Sequence, residues 1–286
     1  MSVDARQSFA TFRMPSGFGG LLPALVLITL FFVVPVVGLL LRSVTEPEPG
    51  LQNYAALFGD GTYARVFFNT FLVASVVTAV TVVVAFPVAW MLAIMPPVLG
   101  LIVFGVIILS MWTNLLTRTY AWMVLLQRTG VINRTLIGLG VIDEPLPLIN
   151  NLTGVTIGMV YIMLPFMILP LVGTLRAIDP MTLRAAALCG ASPIAAFRRI
   201  LLPLSLPGIA AGGLMVFVMS LGYFVTPALL GGTSNMMLAE MIAQMIQSLL
   251  NWGLGSAAAF ILLAVTMALY ALQLRLVGAK RLAGGV

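Results

Sequence analysis

Residues 179–203 read DPMTLRAAALCGASPIAAFRRILLP, and the order of residue types in this stretch predicts two short helices meeting at a glycine. Asp179 is placed to cap a helix whose first residue is Pro180, because proline has no amide hydrogen to leave unpaired there and its φ is already helical. Gly190 suits the C-terminal stop, where a left-handed residue is needed. Ser192 and Pro193 repeat the cap-and-proline pattern and predict a second short helix from about Pro193 toward Leu201, with Pro203 at the start of a membrane span. Ala185, Ala186, Ala187, Ala191, Ala195 and Ala196 leave little side-chain bulk around Gly190. Another protein's surface can therefore approach the backbone closely. This is the shape of a docking element and not of a catalytic site.

The rest of the chain places that element in a membrane protein. Of 286 residues 61% are hydrophobic and 8% charged, against about 25% charged in soluble domains. A charge at the centre of a spanning helix costs roughly 2.5–3.5 kcal/mol, so charge-free runs locate the spans. Such runs cover 14–41, 66–117, 145–175, 200–239 and 241–274. A span needs about 20 residues. The run 66–117 holds two, divided at Pro96-Pro97 into 67–94 and 98–117. The run 200–239 holds one at 204–226, after which Pro227 and Gly231-Gly232 break the helix before a short amphipathic piece around 236–250. The expected architecture is all-α with about six transmembrane helices.

Cations set the orientation. With the N-terminus inside, Arg6, Arg13, Arg176, Arg184, Arg198, Arg199, Arg275, Lys280 and Arg281 are cytoplasmic, nine cations against Asp4 and Asp179. The opposite side holds Arg42, Arg65, Arg118, Arg128 and Arg134 against the six acids Glu46, Glu48, Asp60, Asp143, Glu144 and Glu240. Both termini and the 179–203 loop are thus expected in the cytoplasm. The same distribution explains the isoelectric point near 10.1 as a membrane-edge property, and no nucleic-acid partner is expected. Cys189 is the single cysteine, so no intrachain disulfide forms; it reads as a small packing residue. The first apolar run is longer than a signal-peptide core and is read as a retained span.

In the 179–203 stretch Ala185 and Ala186 are followed after three residues by Gly190, then after nine by Ile200, then by Leu202 and Pro203. At this spacing the chain resembles the membrane subunits of binding-protein-dependent ABC importers, whose cytoplasmic loop begins Glu-Ala-Ala. Arg184 stands where that family carries its glutamate, which puts that one polar contact with the ATPase in question. Further stretches are similar to the polyamine branch of the family: FPVA (86–89), MWTNLLTRTYAWMVLL (111–126), GVINRTL (130–136), YIMLPFMILPL (161–171) and FVTPALLGG (224–232). The resemblance implies the type I ABC importer permease fold in a bacterial inner membrane. It implies a coupling role toward the ATPase for Arg184, Ala185, Ala186, Gly190, Ile200, Leu202 and Pro203. The implied partners are a second permease, two ATPase subunits carrying ATP and Mg, and a periplasmic or extracellular substrate-binding protein, with membrane lipid around them. It also implies a domain layout: 1–66 for the N-terminal tail, first span and external loop, 67–275 for the permease domain, and 276–286 for a cytoplasmic tail.

For the substrate path the spans offer no histidine and no acid at a predicted span centre, which disfavours a proton relay. Polar and aromatic residues remain: Trp112, Asn114, Thr117, Tyr120, Trp122, Tyr161, Tyr223 and Thr226. Aromatic faces attract a desolvated organic cation, while Trp and Tyr at span ends also serve as interface anchors. Pro165, Pro170, Pro203 and Pro207 are expected to kink the fourth span and the start of the fifth. Gly154/Gly158 and Gly208/Gly212 have the spacing that lets helices approach. A secondary transporter or channel stays as the alternative function class, and it would call for intramembrane charges or paired broken repeats. A membrane enzyme would need a cluster of His, Cys or carboxylates, and no metal site or cofactor is expected in this chain. No GxxxxGK[ST] sequence occurs, so ATP hydrolysis falls to another chain. Spermidine or putrescine is the substrate that the resemblance implies, with opines, quaternary amines and amino-acid derivatives as the alternative.

Overall fold

A computed structural model describes residues 18–232 and 235–283. Asp4, Arg6 and Arg13, which contribute to the orientation argument, and residues 284–286 of the expected tail lie outside the described residues. All regular structure among the described residues is helical. Five helices are long and apolar enough to cross a bilayer: α1 (Leu21–Thr45), then α3 (Gly61–Ile94), α7 (Leu152–Arg176), α9 (Pro193–Leu221) and α12, whose spanning part is Trp252–Leu272 and which runs on to Ala283. Shorter helices lie between them: α2 (Gln52–Gly59), α4 (Pro97–Met111), α5 (Leu115–Leu126), α6 (Val131–Gly138), α8 (Pro180–Leu188), α10 (Val225–Leu230) and α11 (Leu238–Gln247).

α7 is the central element. Of its most apolar window 61% is buried, whereas none of the corresponding window of α1 is. α3 and α9 pack on α7 and on each other, and α12 packs on α1. The main core lies among α3, α7 and α9 and includes Val73, Val77, Ala85, Met159, Met163, Met167, Leu171 and Val216. A second cluster of Leu57, Val66, Leu238, Met241, Met245, Ala257 and Ala258 ties α2, α11 and the start of α12 to the start of α3. Methionines at the centre suit the crossing of three helices, since their unbranched side chains fill irregular gaps.

The glycine spacings work as close-approach points. A Cβ on Gly208 would lie 2.6 Å from Thr174 Oγ1 and 3.3 Å from Leu171 Cα, and one on Gly212 would lie 2.7 Å from Met167 Sδ. A Cβ on Gly158 would lie 2.6 Å from Leu230 Cδ1 and 2.8 Å from Thr226 Cγ2. α9 and α10 therefore sit against α7 so closely that a side chain at any of these glycines would force its neighbours to shift.

Two expectations need correction. The third span, expected over 98–117, is not one straight helix. α4 ends at Met111, and the axis turns by 96° into the following helical segment. Asn114 causes the break: its Oδ1 accepts from the amides of Leu116 at 2.9 Å and Thr117 at 3.3 Å, capping a new helix. At 1.5 Å per residue the 15 residues of α4 reach only about 22 Å, short of a hydrocarbon core of about 30 Å. A sixth span exists only as this bent pair. Secondly, the helix starting at Pro193 does not stop near Leu201 but continues into the span, 29 residues without a break to Leu221. A wide turn over Phe197–Leu201 absorbs Pro203, with the Leu202 amide donating to the Phe197 carbonyl. Loosening the ladder just ahead of a proline accommodates its ring and missing donor. α7 likewise runs unbroken through Pro165 and Pro170.

Candidate functional site: an exposed docking element between two core helices

The 179–203 element folds as its residue order dictates. Asp179 Oδ1 accepts from the Met181 amide at 2.8 Å and Pro180 opens α8. At the other end Gly190 has φ of 80°. The Ala191 amide donates to Ala186 O and the Gly190 amide to Ala187 O, both at 3.0 Å, so two carbonyls at the helix end are paired by a left-handed stop. Ser192 Oγ accepts from the Ala195 amide at 3.3 Å and starts α9. No residue of α8 is buried. Arg184, Ala185 and Gly190 are exposed and Ala186 is half-buried; Ile200 and Leu202 are half-buried and Pro203 is exposed where the element passes into the span. Cys189 is exposed, so the packing role expected for it is not found.

The residues that mark this surface most strongly were not singled out by the sequence pattern. Leu188 is 90% exposed and Ile194 is 72% exposed, on either side of Gly190. Short apolar runs carry no mark of which residue faces outward, and only the geometry at Gly190 brings the two forward.

Both ends of the element connect to the core. α8 follows the C-terminal end of α7 through 177–179, and the 190s continue directly as α9. α7 and α9 are packed on one another through Gly208 and Gly212. Phe197 meets Phe86 of α3 edge-on, with ring centroids 5.5 Å apart. The turn at Gly190 is thus joined through α9 to the three-helix core.

The residues considered for the substrate path divide into two groups. Thr226 is fully buried, and its hydroxyl lies 3.3 Å from that of Thr119. Tyr223 stands three residues ahead of Thr226, between α9 and α10, and packs against the main core. Trp122 and Tyr161 form an edge-to-face pair with centroids 5.6 Å apart, and Tyr161 follows Gly158, which touches Thr226, by three residues on one face of α7. These five residues converge where α5, α7 and α10 meet. Trp112 is 85% exposed, and Asn114, Thr117 and Tyr120 are also exposed; Asn114 serves as the cap of α5. Arg118, read as an edge cation, instead reaches back across the bend. Its Nη2 donates to Met111 O at 3.5 Å, a cation at the carbonyl end of α4, and its Nε is buried without a partner.

Asn133, fully buried, shapes the loop that follows by donating to Gln127 O and Leu146 O and accepting from the Leu146 amide. At the opposite end of the molecule from the docking element, Glu240 on α11 is buried with Oε2 unpaired. Burial pushes its carboxyl above the ordinary range, against a weaker pull from the Met237 amide.

Comparison with known proteins agrees with this geometry. Residues 98–281 match the family described as binding-protein-dependent transport system inner membrane component. The chain is 36% identical over 207 residues to the spermidine/putrescine transport system permease protein PotB of Salmonella typhimurium (strain LT2), covering 72% of each chain. It is likewise 36% identical over 207 residues to PotB of Escherichia coli K12, covering 72% of this chain and 75% of that one. In fold it is similar to a chain of the bacterial alginate ABC transporter solved in complex with alginate pentasaccharide-bound periplasmic protein, with a TM-score of 0.69, 16% identity, and coverage of 88% and 90% of the two chains. An all-helical fold of the ABC importer permease type, carrying a polyamine-type permease sequence, makes this chain a member of the family of binding-protein-dependent transport system inner membrane components.

Proposed function

We propose that this chain is the membrane-spanning subunit of an ATP-driven importer for spermidine, putrescine or a related organic amine. It is a transport subunit and holds no ATPase site of its own; ATP and Mg belong to two separate ATPase subunits. A second permease completes the path, and a binding protein delivers substrate to the outer face over 43–65 and 127–150. Both termini and the 179–203 loop face the cytoplasm, and the permease domain spans 67–275. Arg184, Ala185, Ala186, Gly190, Ile200, Leu202 and Pro203 form the coupling element.

The observation that supports this reading is the capped turn at Gly190, which leaves Leu188 and Ile194 exposed just ahead of a helix that runs unbroken from Pro193 to Leu221. Closure of the ATPase pair moves this turn as a rigid lever. α9 then shifts against α7, and the bundle passes from inward-open to outward-open. Trp112, Asn114, Thr117, Tyr120, Tyr161, Tyr223 and Thr226 belong to the path, with the converging group around Thr226 as its inner part. The aromatic faces there suit an ammonium group stripped of water. The PotB likeness supports the amine substrate.

The test is reconstitution. The purified chain alone in vesicles should hydrolyse no ATP and accumulate no spermidine. With the second permease, the ATPase subunits and the binding protein present, loaded binding protein should stimulate hydrolysis and drive uptake. Uptake by the chain alone along an ion gradient would favour a secondary transporter and defeat the proposal.

A further inference from the structure

A row of three hollows runs along the end of α3, where α3 and α7 both finish. The middle one, of about 420 Å³, lies between the last turns of α3 and α7 and the start of α8, and is lined by Trp90, Ala93, Leu175, Leu183 and two guanidinium groups, Arg176 and Arg184. On one side it adjoins a hollow of about 410 Å³ that shares Ala93 and Arg176 and is otherwise walled mainly by Met95, Pro97, Leu101 and Phe104. On the other side Trp90 is shared with a hollow of about 450 Å³ whose walls include Val83, Phe86, Phe197, Leu201 and Ile209. The outer two are apolar in their walls apart from Arg176 itself. Only the middle one is lined by both guanidinium groups.

Neither arginine has a neutralising partner among the described residues. Arg176 Nη2 donates to the Leu92 carbonyl at 3.2 Å, which fixes its head at the end of α3. Arg184 reaches only the Met181 sulfur, at 3.9 Å. Among the described residues the one ion pair is Arg42–Glu46, far along the chain from both. Asp179, the nearest acid in sequence, accepts from the Met181 amide as the cap of α8. Two like charges lining one cavity repel, and an anion between them removes that cost. Guanidinium groups match a phosphate through paired N–H donors.

We propose that this seam binds one anionic phospholipid, with its headgroup phosphate between Arg176 and Arg184 and its acyl chains along the two flanking apolar hollows. The depth is right, because two spanning helices end at the cationic hollow and Trp90 sits there as an interfacial aromatic. Basic pockets between spans at the cytoplasmic face suit such headgroups. A free phosphate would use the middle hollow and leave the apolar pair unexplained. The site rests on membrane insertion and on the cytoplasmic orientation proposed above, and not on the identity of the transported solute.

The experiment places the full-length chain in bilayers containing phosphatidylglycerol or phosphatidylcholine with brominated acyl chains. The reading is the fluorescence quenching lost in Trp90→Phe, which isolates one of the four tryptophans. Brominated phosphatidylglycerol should half-quench Trp90 at a mole fraction lower by on the order of tenfold. Arg176→Gln with Arg184→Gln should abolish that preference, while Arg198→Gln with Arg199→Gln should keep it. Equal quenching by both lipids, or equal loss in the Arg198/Arg199 pair, would overturn the proposal. So would loss of the preference when the ATPase subunits bind, since the hollow would then be the seat of a partner's acidic side chain. Mass spectrometry of the unaltered chain, purified in mild detergent, gives a reading free of folding effects: one retained anionic phospholipid per chain is expected, and a zwitterionic lipid or none contradicts it.

Discussion

Gly190 is the residue on which the account bears most heavily. Its φ of 80° lies in the left-handed region, yet a Cβ there would meet nothing within 4 Å. The constraint is therefore one of backbone conformation and not of space, and substitutions should follow left-handed propensity. Gly190→Asn should keep coupling, whereas Gly190→Val should cost about 1–3 kcal/mol in the turn and disconnect ATP hydrolysis from uptake, with the binding protein's affinity for its ligand unchanged. Normal uptake and normal stimulation of hydrolysis in Gly190→Val vesicles would show that the turn does not couple. This residue was legible in the sequence because capping chemistry is local: Asp179-Pro180 and Ser192-Pro193 state their own geometry. Leu188 and Ile194 were not, because exposure is a property of the assembled surface. Glu240 was also illegible, being one more charge on the outer side until packing buried it. Its raised carboxyl favours the folded state when protonated, so its contribution is fully present below the ordinary carboxylate range and is lost as pH rises through the raised value. Glu240→Gln should therefore raise the thermal midpoint at pH 8, by on the order of 1 kcal/mol of stability, and change little at pH 4. An equal shift at both values would remove burial as the cause.

At the scale of elements, charge-free runs found the spans and Pro96-Pro97 divided the longest run where α3 ends at Ile94 and α4 begins at Pro97, but the end of the third span was missed. The run 66–117 carries no charge on either side of Asn114, so composition gave no reason to end a helix there. The reason is a side-chain cap, a single hydrogen-bonding decision that bends the path by 96°. Proline misled in the opposite sense. Pro203 was expected to open a new span, yet one wide turn ahead of it keeps α9 continuous. That continuity joins the 179–203 element directly to a span, and α9 packs closely on α7 at Gly208 and Gly212. A Val at Gly208 would drive its Cβ into Thr174, a β-branched side chain with little room to yield, and toward the α7 backbone. Overpacking of this kind costs roughly 1–3 kcal/mol. Gly208→Val should thus lower the thermal midpoint in detergent and impair assembly. Unchanged midpoint and assembly would mean that the two helices part more easily than their packing indicates.

For the whole molecule, composition alone separated membrane from soluble protein, and the arrangement of cations proposed an orientation. What composition could not convey is how unevenly the bundle is built. α7 is enclosed by α3 and α9, whereas α1 leaves its apolar face uncovered, which suits contact with lipid or with a second permease. The central claim is that the turn at Gly190 receives a separate ATPase subunit on the cytoplasmic side, and the chain carries its own probe there. Cys189, the single cysteine, is exposed beside Leu188. A thiol-anchored photocrosslinker on Cys189 should be excluded in intact cells by an impermeant form of the reagent. In inside-out vesicles of the complete transporter it should react and capture a chain bearing a GxxxxGK[ST] nucleotide-binding sequence. Labelling of Cys189 from the outside of intact cells, or no capture of such a chain in the assembled transporter, would contradict the account.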